Sequence, residues 1–113
     1  DPVAYGDGKS SAASTLTVVG TWATWPVVTL TALAGSSVKV TDGLGRYVLV
    51  ERDFAAGDVV VMDFASEAVT VDGADASADV AVESTFFSLA PGSHSLTFSG
   101  CSAHTVEWVE RWL

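Results

Sequence analysis

The chain has 113 residues, of which 49% are hydrophobic, and 14 acidic against 5 basic side chains give it a formal net charge of −9. This length fits one domain with a packed core, and no apolar stretch reaches the roughly 20 residues that cross a bilayer. The acidic excess repels phosphate, which argues against nucleic acid and against a membrane surface as partners.

The first 15 residues contain glycine, serine, alanine and single charges without a hydrophobic period. Such a segment is typical of a linker or a loosely attached arm. The sequence starts with neither a methionine nor a signal pattern, which suggests a domain taken from a longer protein. We therefore expect residues 1–19 to be an arm from a missing N-terminal domain and residues 20–113 to form one β-sandwich domain.

The whole chain is rich in β-branched residues, with 18 valines and 11 threonines, and glycine-rich turns separate its apolar runs. Side chains of this type pack well on pleated, half-buried surfaces. The pattern predicts an all-β, antiparallel sandwich or barrel with no helix beyond a single turn. The predicted strands are 16–19, 27–33, 37–42, 47–53, 59–64, 67–72, 80–83, 85–89, 93–99 and 105–112.

Two tryptophans precede a proline at the start of the second predicted strand, in the stretch GTWATWPVV. Trp22 and Trp25 differ in parity, so a regular strand would point them to opposite faces. Pro26 lacks an N–H and favours extended geometry in the residue before it, which marks a strand start or an edge. We expect Trp25 to pack as an anchor on the sandwich and Trp22 to be the freer of the two.

Further along, residues 59–64 are apolar on both faces, which predicts a central or covered strand.

Two clusters suggest metal chemistry, and the sequence favours a simpler interpretation of each. Cys101 and His104 have Cys-x-x-His spacing, but zinc needs more ligands, and a hairpin turn at 99–103 would put His94 out of reach. An acidic loop has calcium-type ligands, yet it lacks the glycine and the bidentate glutamate of the helix-loop-helix motif. We predict no metal and no cofactor, and a solvated loop made by Asp72, Asp75, Ser77, Asp79 and Glu83.

No nucleophile elbow and no phosphate-binding glycine loop occurs in the sequence, so we predict that the chain is not an enzyme. Aromatic side chains are the remaining candidates for ligand contact, because they stack on sugar rings. Large aromatics more often serve packing, since each buries about 150 to 250 Å². The candidate carbohydrate-binding residues are Trp22 and Tyr47.

The order of short motifs resembles a known family. The motifs are PVVTL at 26–30, AGDVVVMD at 56–63, VTVDG at 69–73, STFFSLAPGSHSLTFSG at 84–100 and VEWVERWL at 106–113. Together they resemble the C-terminal domain of siphophage distal tail proteins, which are baseplate hub components. The chain departs from the family pattern at His94, where asparagine is more frequent, and at Glu110, which adds an acid to the ending.

The resemblance implies a galectin-like, jelly-roll sandwich that follows an N-terminal ring-building domain absent from this sequence. It further implies a virion tail-tip protein, made in the host cytoplasm, that joins the tail tube to the adhesion apparatus. The expected partners are other tail proteins, further copies bound through the missing domain, and a glycan of the host surface. The alternatives are a non-catalytic carbohydrate-binding module of a surface or secreted protein and an accessory domain of a tail-associated hydrolase.

Overall fold

The computed structural model describes residues 3–8, 13–20 and 22–109, which form two antiparallel β-sheets around one core. The six-stranded sheet has the order β1-β10-β3-β6-β7-β8, and the four-stranded sheet has the order β2-β9-β4-β5. The all-β antiparallel sandwich predicted from the sequence is confirmed. The strands are β1 Val3–Gly8, β2 Ala13–Val18, β3 Val27–Ala32, β4 Gly35–Thr41, β5 Tyr47–Phe54, β6 Val59–Asp63, β7 Ala68–Val71, β8 Ala74–Asp75, β9 Gly92–Ser99 and β10 Cys101–Val109.

Alternating side chains build the core between the sheets. Val28, Leu30 and Ala32 of β3 are buried, as their parity predicts, and the threonines between them are only half-buried. In β6, Val60 and Met62 are buried, whereas the valines beside them face outward. The prediction that residues 59–64 include a central strand is confirmed, because β6 lies between β3 and β7.

The start of the chain differs from its prediction. Residues Val3–Gly8 pair with β10 and residues Ala13–Val18 pair with β9, so both segments extend a sheet where the sequence predicted a loose arm before residue 16. An added outer strand is held by main-chain hydrogen bonds, which need no hydrophobic period and so give no signal in the sequence. The connection to a preceding domain stays a prediction.

Residues 80–89 also differ, since they form two isolated bridges rather than the two predicted strands. They run along the outer edge of β5, where the Ala81 N–H donates to the Leu49 carbonyl over 2.8 Å and the Thr85 N–H donates to the Tyr47 carbonyl over 2.8 Å. The Ser84 hydroxyl accepts a bond from the Leu49 N–H at 2.9 Å. The segment therefore covers an edge that would otherwise be open to pairing with another chain.

A glycine marks the passage from one sheet to the other. β9 lies in the four-stranded sheet and β10 in the six-stranded one, so the turn between them does not close a hairpin. Gly100 has a φ of 80°, and a Cβ at this position would collide with the Ser37 carbonyl oxygen. Only glycine combines this backbone conformation with so close an approach.

A β-bulge follows directly and sets which side chains of β10 face the core. The pairing with β3 shifts between Cys101 and Ala103, so Ser102 is an extra residue in the strand. Because one residue is inserted, Cys101 and His104 both point inward despite their opposite parity.

Within the described residues, no helix is long and apolar enough to cross a membrane.

Candidate functional site

The turn between β4 and β5 is organised by one carboxylate. Asp42 Oδ1 accepts hydrogen bonds from the backbone N–H groups of Leu44 at 2.9 Å and Arg46 at 2.8 Å. Its Oδ2 accepts a third bond from Arg46 Nε at 2.6 Å. Aspartate commonly closes turns through such bonds to the main chain just ahead of it. The Asp42 side chain is 5% exposed, and this burial is tolerated because its oxygens are matched by donors.

The same contacts hold the guanidinium group of Arg46 in place. Its Cζ lies 5.4 Å from the centroid of the Phe87 ring, within the range of a cation–π contact. Phe87 is buried and packs edge-on against Phe64, with ring centroids 4.7 Å apart. The head group is thus fixed by a carboxylate and by an aromatic ring that belongs to the core, while 40% of the side chain remains exposed.

A groove of about 270 Å³ opens between this turn and β9. His94 of β9 contacts the Ala90 carbonyl through Nε2. A carbonyl oxygen only accepts, so Nε2 of His94 donates this hydrogen bond. The groove therefore combines a cation with hydroxyl groups and an imidazole, and its lining consists of Asp42, Gly43, Leu44, Arg46, Ser93, His94 and Ser95.

The two residues predicted to bind carbohydrate lie in different elements. Trp22 is 50% exposed in the segment between β2 and β3. Tyr47 is half-buried at the start of β5, with the Lys39 ammonium 4.4 Å from its ring centroid. Neither residue lines the groove. A sugar-binding role for Trp22 and Tyr47 stays a prediction.

Trp25 is not the buried anchor that the sequence predicted, because 43% of it is exposed. The buried residue here is Thr24, which exchanges two backbone hydrogen bonds with Leu89, at 2.9 and 2.7 Å. Pro26 is buried and β3 begins directly after it, as its missing N–H predicted. The segment is therefore attached to the sandwich by the Thr24–Leu89 bridge.

The acidic loop uses its carboxylates to accept hydrogen bonds from backbone N–H groups. Asp72 accepts a bond from the Val59 N–H at 2.9 Å. Asp75 accepts one from the Ser77 N–H at 3.0 Å, and this N–H, followed by the Ser77 hydroxyl, lowers the pKa of Asp75 below its usual value. Among the described residues, no three His, Cys, Asp or Glu side chains lie together in a way that could hold a metal ion.

Cys101 and His104 lie inside the sandwich rather than on a ligand-binding surface. Burial raises the pKa of the Cys101 thiol, which disfavours the thiolate that binds metals and acts as a nucleophile. The His104 ring stacks on Phe98 with centroids 4.0 Å apart and planes 13° from parallel. Both residues serve the packing of β10 against the core.

The groove at Arg46 was not predicted from the sequence. The turn that forms one side of the groove could have been predicted, because an aspartate before Gly-Leu-Gly-Arg is a favourable turn sequence. Its carboxylate can accept hydrogen bonds from the main chain just ahead of it. The other half lies some fifty residues away on β9. Nothing in the sequence indicates that this strand passes beside the turn.

The sequence matches the family described as siphovirus-type tail component, C-terminal domain, over residues 19–112. No curated protein matches it. Among solved structures, the fold is similar to that of the SPP1 protein Dit (gp 19.1), which is described as a paradigm of the hub adsorption apparatus in phages that infect Gram-positive bacteria.

The two structures superpose with a TM-score of 0.84 at 17% sequence identity, over 99% of this chain and 48% of that one. This chain thus spans about half the length of the SPP1 protein. The likeness concerns the fold, and it confirms the predicted galectin-like sandwich.

Proposed function

This chain belongs to the family of siphovirus-type tail components, in which it corresponds to the C-terminal domain, and from that premise we propose that it joins the tail tube of a phage to its adhesion apparatus. The family match over residues 19–112 is the observation that supports this role. A tail hub domain of this family is a structural part of the virion tail. We propose that its role is architectural and not catalytic.

We further propose that the domain works as part of a ring. Self-association would use a domain outside this sequence, and the greater length of the SPP1 protein is consistent with such a division. The sandwich itself would contact neighbouring tail proteins and, at its outer side, the host surface. The protein would be made in the host cytoplasm and incorporated at the tail tip.

A truncation within the domain tests the proposal. A stop codon at Val27 of the phage or prophage gene removes β3 and everything after it, and a silent change of the same codon is the matched control. We expect particles without a normal tail tip in electron micrographs and a loss of plaques with the stop codon alone. Intact tips and an unchanged plaque yield would contradict the proposed role.

The exposed ring of Trp22 supports the alternative function, a non-catalytic carbohydrate-binding module. A glycan array probed with the chain tests it, with Trp22→Ala and Tyr47→Ala as variants. Trp25→Ala is a matched control because that ring is similarly exposed, at 43% against 50%. Signals lost only in Trp22→Ala or Tyr47→Ala would favour carbohydrate binding by these residues, and a blank array would exclude it.

A further inference from the structure

The Arg46 guanidinium is held in place, but only one of its N–H donors has an acceptor among the described residues. A guanidinium offers five N–H donors in a rigid fork, and Asp42 takes the one on Nε. Among the described residues, no acceptor forms a hydrogen bond with Nη1 or Nη2 of Arg46. Asp42 and the Phe87 ring fix the group, so its two terminal nitrogens are held ready to donate at the wall of the groove.

The opposite wall supplies neutral polar groups. Ser93 and Ser95 belong to β9 and line the groove together with His94. The exposed hydroxyls of Ser93 and Ser95 can bond to the hydroxyls of a ligand. The Ser93 hydroxyl also lies 3.5 Å from the Thr17 hydroxyl, and His94 takes the opposite face of β9 by alternation. Asp42 contributes the only carboxylate of the lining, and its oxygens already accept three N–H groups. Within the lining, Arg46 balances the charge of Asp42, so recognition of an anion depends on the Nη1 and Nη2 donors of the guanidinium.

The distribution of charge favours anion binding on the side of the molecule that carries the groove. Lys39, Arg46 and Arg52 are the basic residues in the described part of the chain, and all three belong to the four-stranded sheet or to the turn between β4 and β5. The same sheet and turn also hold Asp42, Glu51 and Asp53, so their charges balance, whereas the described side chains of the six-stranded sheet include acids and no lysine or arginine. An approaching anion is therefore repelled less on the groove side, within the Debye length of about 8 Å at physiological salt.

We propose that this groove is an oxyanion site, which binds one carboxylate or phosphate group of a small ligand that also bears hydroxyls. The guanidinium fork matches two oxygens of either group in bidentate geometry. A volume of about 270 Å³ is below the roughly 300–1,000 Å³ of sites for drug-sized ligands, so one sugar or polyol unit is the fitting size. The inference goes beyond the architectural role and does not depend on it.

Titration of the ¹⁵N-labelled chain, followed by NMR, tests the site with two pairs of ligands. Galacturonate is compared with galactose, and glycerol phosphate with glycerol, so that each pair differs in the oxyanion. We expect a charged ligand to shift the amide signals of Gly43, Arg46 and Ser95, and its neutral counterpart to bind at least about tenfold more weakly. Shifts with galacturonate alone identify a carboxylate ligand, and shifts with glycerol phosphate alone identify a phosphate.

Variants then assign the binding to Arg46. Arg46→Lys keeps the charge but loses the fork, and we expect about a tenfold loss of affinity. Arg52→Gln is the matched control, since it removes a positive charge from the same sheet outside the groove, and its affinity should stay within about twofold. If Arg46→Lys fails to fold, the Ser93→Ala, Ser95→Ala double variant replaces it, with an expected loss of about threefold or more.

Three results would overturn the proposal. The first is the absence of shifts around the groove with both charged ligands at about 10 mM, a concentration that detects even millimolar affinity. The second is equal binding of a charged ligand and its neutral counterpart. The third is an equal loss of affinity in Arg52→Gln and in the groove variants, which would mean that the anion responds to overall charge alone.

Discussion

Two acidic regions of this chain use aspartate in opposite ways. In the turn between β4 and β5, the Asp42 side chain is 5% exposed and accepts three hydrogen bonds, one of them from Arg46. Around β8 and the turn after it, Asp75 is exposed and Asp79 is 39% exposed, and the Asp79 partner, Arg52, lies 3.4 Å away. The buried carboxylate fixes a turn and a guanidinium, whereas the exposed carboxylates bond at the surface, Asp75 to Ser77 and Asp79 to Arg52.

The largest effect is expected from removing the buried carboxylate. Asp42→Ala leaves the N–H groups of Leu44 and Arg46 without their acceptor, and we expect a loss of about 3 kcal/mol in the free energy of unfolding. Urea denaturation measures it. Asp42→Asn is the control, because it keeps the Oδ1 acceptor and should recover roughly half of the loss. A change in Asp42→Ala as small as that in Asp79→Ala would remove the contrast between the two regions.

A smaller loss is expected when the cation is removed and the carboxylate stays. Arg46→Gln leaves Asp42 with its two backbone bonds but without the charged partner, and it weakens the contact with Phe87. We expect about 1.5 kcal/mol, less than for a fully buried pair because the arginine side chain is half-exposed. Arg46→Lys, measured in the same way, should lie between the wild type and Arg46→Gln. A stability equal to that of the wild type in Arg46→Gln would show that the backbone bonds alone hold the turn.

The contrast also explains what the sequence could and could not predict. The high density of acidic residues suggests calcium ligands in residues 72–83. The candidate site instead lies at Asp42 and Arg46 and contains one carboxylate. Alternation located β3 to β5 correctly, because each of these strands has one face in the core, whereas a run of residues apolar on both faces located β6. The sequence around Asp42 predicts the turn. The groove also needs β9, and a contact between two distant segments cannot be predicted from the sequence of either segment alone.

The errors elsewhere share this cause. Residues 80–89 have the composition of strands, yet their backbone bonds go to the edge of β5 and to Thr24 and form no full ladder. Trp25 has the size of a core residue, but the buried contact at that point is the main chain of Thr24. The inward direction of Cys101 depends on a bulge at Ser102. Propensity and parity describe a segment, whereas these features depend on which neighbour the segment meets.

The exposed region should show a pH effect smaller than the effects at Asp42 and Arg46. Bonds from the Ser77 N–H and hydroxyl lower the pKa of Asp75 in the folded state. A depressed folded pKa gives stability that is present above the unfolded pKa, close to 3.8, and is lost as the pH falls through the folded value. The wild type should therefore exceed Asp75→Asn in its urea midpoint at neutral pH, and this gap should shrink below about pH 4. A gap that widened in acid would mean that the carboxylic acid form is the one stabilised.

The smallest effect is expected at the ion pair between Arg52 and Asp79. Both side chains are more than a third exposed, so solvent screens their attraction and ordering the two side chains offsets much of it. Asp79→Ala should change the free energy of unfolding by no more than about 0.5 kcal/mol, and Arg52→Gln should match it. Raising the salt from about 0.1 M to 1 M shortens the Debye length from about 10 Å to 3 Å, which should remove the remaining difference in stability. The loss of stability in Asp42→Ala should persist at high salt, because most of it comes from unsatisfied N–H groups. A salt-resistant loss above 1 kcal/mol in Asp79→Ala would mean that the exposed pair stabilises the domain in the same way as the buried carboxylate does.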